Sequence, residues 1–280
     1  MGKSWRITAC PIRFLNAVCW SHMSPAAEKI VYEHPLNEKM RTLLRLEHLF
    51  QQVDFYLPKD DVWSSRAAVD GLLNMVNIFS RADIKAELIK ELDRQREKLS
   101  GIRRTPGIDT ERLDIILDRL AKATAKIFTI DGQIGHAMRN NEFLKSILQR
   151  SSIPGGSCAF DLPHYHFWLE QPKAFRHQES ERWLATLDPV SDAIELLLSL
   201  VRTSTSPSNE TATGGFFQRS IDPQAPAQLV RVSIPREVRL FAEISGGKHR
   251  FTVRFMEPSE EERPSQTRTD VPFSLNTCIL

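Results

Sequence analysis

Cysteine is scarce: Cys10, Cys19, Cys158 and Cys278 are the only four in 280 residues, and no two of them form a CxxC pair. That spacing excludes a disulfide framework or a zinc knuckle and fits a reducing compartment. Long apolar runs are lacking as well. No stretch approaches the roughly 18–20 uninterrupted apolar residues of a spanning helix, so membrane insertion is not expected. Neither charge sign dominates, with 37 Lys and Arg against 35 Asp and Glu and a formal net charge of +2. A dedicated nucleic-acid-binding domain carries a marked basic excess, so any electrostatic function here must reside in a local patch. Catalytic fingerprints are missing too: there is no GxSxG elbow, no HExxH and no glycine-rich phosphate loop opening a helix. Gly246-Gly247-Lys248 matches a fragment of a phosphate loop, but Ala242 stands in place of its first glycine and His249 in place of the magnesium-binding Ser or Thr. No enzymatic activity, cofactor or metal is expected.

What the chain does have is the makings of a substantial core, with 41% hydrophobic and 26% charged residues. Residues 1–29 read as a flexible N-terminal extension. The weakly apolar Ile12–Trp20 stretch is interrupted by Arg13 and is short for a signal peptide, and Met23 offers an alternative start. From there helical periodicity takes over. Leu36, Met40, Leu43, Leu46, Phe50 and Val53 recur at intervals of three and four, and Val69, Leu72, Leu73, Val76 and Phe79 repeat the pattern after a break at Leu57-Pro58. Asp83 and Asp109 are placed to cap two further helices on either side of Pro106-Gly107, and a short helix is expected at 141–149. Short connections between such helices indicate a bundle.

The Pro154-Gly155-Gly156 cluster ends this run, and the aromatic segment Cys158–Leu169 after it reads as extended, which starts a sheet. Helix resumes over 180–187 and, behind Asp188-Pro189, over 190–201. The Ser/Thr/Asn/Gly-rich residues 203–215 read as a mobile linker. Beyond them the period is two: Val230, Val232 and Ile234, then Leu240, Ala242 and Ile244, then Phe251, Val253 and Phe255, with a last strand at 271–277. The expectation is an α+β protein, an N-terminal helical bundle packed with a smaller, mostly antiparallel β domain. The helical domain comprises 30–152 and 177–202, and the β domain 153–176 and 216–277.

Strand parity isolates one candidate site. Lys248, Arg250, Thr252 and Arg254 project from the face opposite Phe251, Val253 and Phe255, and residues 219–254 carry seven Lys or Arg against three acids. An acidic ligand is the natural partner, although a solvated outward face has the same composition. A nucleic-acid-binding module is the alternative for this basic face. His164 and His166, near Cys158 and Asp161, offer too few convergent ligands for zinc.

Several runs then carry a resemblance: Glu33 through Thr42, Leu88 through Gln95, Ser152 through Gly156 followed by Phe160-Asp161-Leu162-Pro163, and His249 through Met256. Together, from about Val31 to Thr277, they resemble the ZapD family of Z-ring-associated cell division proteins. The resemblance implies a non-enzymatic cytoplasmic homodimer at the mid-cell division site that binds the C-terminal tail of FtsZ and bundles FtsZ filaments. It implies tail binding through Lys248, Arg250 and Arg254, with Arg81 as a further contributor. It also implies dimer contacts at Arg45 and His166.

Overall fold

The computed structural model describes residues 29–81 and 83–279, so all but the last residue of the extension expected at 1–29, and its start-site reading, lie outside the described residues. Asn37 sits in extended backbone, and its side-chain oxygen accepts the Met40 amide at 2.8 Å, which opens α1 (Glu38–Tyr56). Met40, Leu43, Leu46, Phe50 and Val53 are its buried stripe, while Leu36, ahead of the cap, packs into the β core instead. Helix α2 (Val62–Arg81) crosses closely: a Cβ on Gly71 would lie 2.7 Å from Val53 Cγ2, so any side chain there would have to displace Val53. Asp83 and Asp109 accept the Ala86 and Arg112 amides and cap α3 (Ile84–Gly101) and α4 (Thr110–Phe128), as their positions predict. Two short helices follow, α5 (His136–Arg139) and α6 (Glu142–Arg150), the latter capped by Asn141.

The segment expected to be extended is helical. Leu162-Pro163 starts α7 (Pro163–Leu169), in which the fixed φ of proline suits the first turn. Tyr165, Trp168 and Leu169 point into the helical core, so residues 153–176 contribute to that core and not to a sheet. Aromatic content suggested a strand there, but the apolar positions 162, 165, 168 and 169 have helical spacing. Helix α8 (Lys173–Ala185) leads into α9 (Asp188–Thr203), which packs against α1, α3 and α4. Its buried residues Val190, Ala193, Ile194, Leu196, Leu197, Leu198, Leu200 and Val201 make it the axis of the bundle.

Two four-stranded antiparallel sheets form the other part. The first runs in the order β1 (Lys29–Pro35), β4 (Leu229–Pro235), β8 (Val271–Cys278), β2 (Ser208–Ala212). In the second, β6 (Arg250–Glu257) lies between β3 (Phe216–Ser220) and β5 (Phe241–Gly246), and the two-residue β7 (Ser265–Gln266) also pairs with β6. Val230, Val232, Ile234, Phe273 and Leu275 of the first sheet meet Phe251, Val253 and Phe255 of the second in one buried cluster. Two elements here differ from expectation. The stretch 203–215 contains β2, paired along its length with β8, and Gly214 and Gly215 at positive φ turn it into β3. An edge strand bonded on one side and half exposed can be polar, which is why its composition read as linker. Residues 30–35, grouped with the helices by sequence order, and Lys29, assigned to the extension, pair with β4 about 200 positions away.

An ionic network joins the two parts. From α9, Arg202 donates to Glu33 of β1 (2.9 and 2.7 Å) and to Glu47 of α1 (2.6 and 2.7 Å), and Arg231 of β4 donates to Glu33 at 2.7 Å. Burial raises the Glu33 carboxyl pKa, but the Arg202 and Arg231 guanidiniums outweigh it and hold the group below the usual carboxylate range. Leu229 and Cys278, register partners at the ends of β4 and β8, extend the helical core onto the sheet.

Candidate functional site

The outer face of the second sheet carries the candidate. Along β6, Phe251, Val253 and Phe255 are fully buried, so Arg250, Thr252 and Arg254 face outward. Register fixes their neighbours. Ser220, Gln218 and Phe216 of β3 stand opposite Arg250, Thr252 and Arg254, while Ser245 and Glu243 of β5 stand opposite Thr252 and Arg254. Small residues at the centre and long ones around them leave a groove of about 560 Å³, floored by Ser245, Gly246 and Thr252 and edged by Phe216, Arg250 and Arg254. Ser245 Oγ and Thr252 Oγ1 are hydrogen-bonded at 2.7 Å, which ties the floor together.

Lys248 borders this groove, but not from the strand position that parity assigned to it. It lies in the turn of the β5–β6 hairpin, closed by the Gly247 amide donating to the Arg250 carbonyl at 3.1 Å. A tight turn between antiparallel strands, with no helix after it, is not a phosphate loop. Gly246 is required by close approach, since a Cβ there would lie 2.7 Å from Phe251 Cβ and 2.9 Å from Leu36 Cδ2.

The charges in the groove differ from two other arginines of the same domain. Arg219 pairs with Glu210 at 2.7 Å and Arg231 belongs to the junction network. Among the described residues, Lys248, Arg250 and Arg254 make no ion pair or side-chain hydrogen bond. The acidic stretch Glu260–Glu262 is exposed and forms no ion pair with them. Three cations without an ion pair around one concavity repel one another, and a bound carboxylate would relieve that repulsion through charge-assisted hydrogen bonds.

Arg81 lies elsewhere. In the last turn of α2 it lines a cleft of about 580 Å³ together with Arg41, Arg45 and His48 over a floor of Leu44, Leu49 and Ile78. Arg45 and Arg81, singled out for different roles, therefore share one cleft, and neither borders the sheet groove. Both concavities abut the chain between Glu33 and Leu36: Glu33 and Pro35 line the cleft, and Leu36 packs beside Gly246. Beside that cleft, burial and the neighbouring Arg41 charge lower the His34 pKa, so its imidazole is neutral at pH 7. His166 stands on α7, half exposed, with Nδ1 3.9 Å from the Glu170 carboxylate one turn on. His164 packs edge-on against Phe143, and Cys158 Sγ donates to Asp161 at 3.3 Å.

Phe216 and Gln218 are groove residues that sequence reading passed over. Phe216–Ser220 has two adjacent phenylalanines followed by three polar residues, so its alternation shows in burial and not in sequence.

A family model described as ZapD, cell division protein, matches residues 44–254. The cell division protein ZapD of Methylococcus capsulatus is 47% identical over 252 residues, covering 90% of this chain and 99% of that protein. The proteins of the same name from Azoarcus sp. and Chromobacterium violaceum are 38% and 37% identical, covering 90% and 89% of this chain and 100% and 99% of theirs. No helix among the described residues is long and apolar enough to cross a membrane. The match of the family model and the near full-length relatives, on a fold of helical bundle plus antiparallel sheets, make this chain a member of the ZapD family of cell division proteins.

Proposed function

We propose that this protein is a non-enzymatic division factor that works in the cytoplasm at mid-cell, binds the C-terminal tail of FtsZ and, as a homodimer, cross-links FtsZ filaments into the Z-ring. The observation that carries this reading is the groove on the outer face of the second sheet. Lys248, Arg250 and Arg254 surround it and form no ion pair among the described residues, and Phe216 adds apolar surface beside them. A tail mixing acidic and apolar residues meets both needs, through charge-assisted hydrogen bonds to the cations and burial of an apolar side chain. Arg81 contributes a separate contact from the helical cleft, and Arg45 and His166 belong to the dimer interface. Each site binds a tail modestly. A dimer presents two, and once one is engaged on a filament the second contact becomes effectively intramolecular, so weak tail binding is converted into bridging.

The test is an Arg250→Glu, Arg254→Glu double variant. Both side chains are exposed, so the fold and the dimer should persist. The variant is expected to lose bundling of GTP-assembled FtsZ, followed by light scattering, while light scattering of the protein alone still reports a dimer. Undiminished bundling by a folded, dimeric variant would overturn the site assignment.

A further inference from the structure

The groove has unlike ends. At the hairpin end Lys248 and Arg250 are neighbours, and the residue opposite Arg250 on β3 is Ser220, so no acid stands opposite it in register. At the other end Arg254 stands between Phe216 on β3 and Glu243 on β5. A carboxylate entering that end meets Glu243 as well as Arg254, so acidic groups are favoured at the hairpin end. The far end offers an aromatic ring instead. Phe216 keeps 39% of its surface exposed while its neighbour Phe217 turns inward against Phe273, with ring centres 5.2 Å apart. Arg250 and Arg254 are four residues apart on one strand, about 13 Å at roughly 3.3 Å per residue. An extended peptide covers the same distance in about four residues.

We infer that the groove is directional: Phe216 reads an apolar side chain of the bound peptide about four residues from the carboxylates that Lys248 and Arg250 hold. Phe216 is thus a specificity determinant, and an acidic peptide without the apolar residue binds less well. Gln218, opposite Thr252 midway along the groove and without a hydrogen-bond partner among the described residues, offers an amide to the peptide backbone between the two anchors.

This inference rests on the tail-binding reading above, and the experiment separates the two. Binding of a labelled synthetic FtsZ tail peptide, and of the same peptide with its apolar residues changed to serine, is measured by fluorescence anisotropy against the wild-type protein, Phe216→Ala and Phe216→Leu. Phe216→Ala should weaken the native peptide roughly fivefold or more, the order of one aromatic contact. Phe216→Leu should retain most of the affinity, and the serine peptide should bind wild type and Phe216→Ala equally. Native peptide bound equally by wild type and Phe216→Ala, or a Phe216→Ala loss that persists with the serine peptide, overturns the inference and leaves tail binding intact. No binding of the native peptide by wild type at low salt overturns both.

Discussion

Replacing Arg202 with methionine tests the junction that fixes the β domain against the helices. The arginine makes four hydrogen bonds to two carboxylates, and the side chains of Arg202, Glu33 and Glu47 are 24%, 19% and 20% exposed. Removing one partner of a fully buried ion pair costs about 3–5 kcal/mol, chiefly because a charge is left uncompensated. Here solvent screens part of that charge, and methionine preserves the apolar stem, so the expected loss is about 2–3 kcal/mol. Glu33 keeps Arg231, whereas Glu47 loses its ion pair and is left near the Glu33 carboxylate without the arginine that bridged them. Adding Glu47→Gln to Arg202→Met should therefore restore about 1 kcal/mol. Urea unfolding, followed by circular dichroism and by the fluorescence of the buried Trp168 and Trp183, measures both steps. Stability of Arg202→Met within about 0.5 kcal/mol of wild type would refute the reasoning, because that is the range of an ordinary surface change. An absence of recovery on adding Glu47→Gln would refute the assignment of the loss to the stranded carboxylate.

Other outcomes follow from the same geometry. Gly246→Ala places a methyl group 2.7 Å from Phe251 Cβ and 2.9 Å from Leu36 Cδ2, so thermal unfolding should show a destabilisation of about 1–3 kcal/mol. Tail affinity should fall with it, because Gly246 floors the groove. Acid titration should expose Glu33 and the buried Glu91, which is paired with Lys39 and Arg94. For both, burial raises the carboxyl pKa and the bound cations more than reverse it, leaving the folded group below its ordinary 4.5. Their stabilisation is therefore complete above pH 4.5 and lost as pH falls through the lower folded values. Equal urea midpoints at pH 6 and pH 3 would contradict this.

How much of the molecule is legible in its sequence depends on whether the deciding contacts are local. Caps and stripes are local, so Asp83, Asp109 and the Met40–Val53 pattern were placed correctly. The alternation of Phe251, Val253 and Phe255 likewise gave the outward face of Arg250 and Arg254. Local composition misled where tertiary pairing decides. Strand β2 is polar because only one edge and half its surface are covered, and β1 acquires its strand role from a partner some 200 residues on. In α7 the aromatic content outweighed the i, i+3, i+4 spacing that held the answer. Parity put Lys248 on the strand, whereas it sits in the hairpin turn beside the groove, where strand alternation has ended. The sharing of one cleft by Arg45 and Arg81 depends on how α1 and α2 cross, which no linear pattern encodes.

The most direct test of the account is co-sedimentation of the purified protein with GTP-assembled FtsZ, in parallel with FtsZ lacking its C-terminal tail, at low and high salt. The account predicts pelleting with full-length filaments, little with tail-less filaments, and weakening as salt screens the groove. Equal pelleting with both kinds of filament, or none with full-length filaments at low salt, would contradict it.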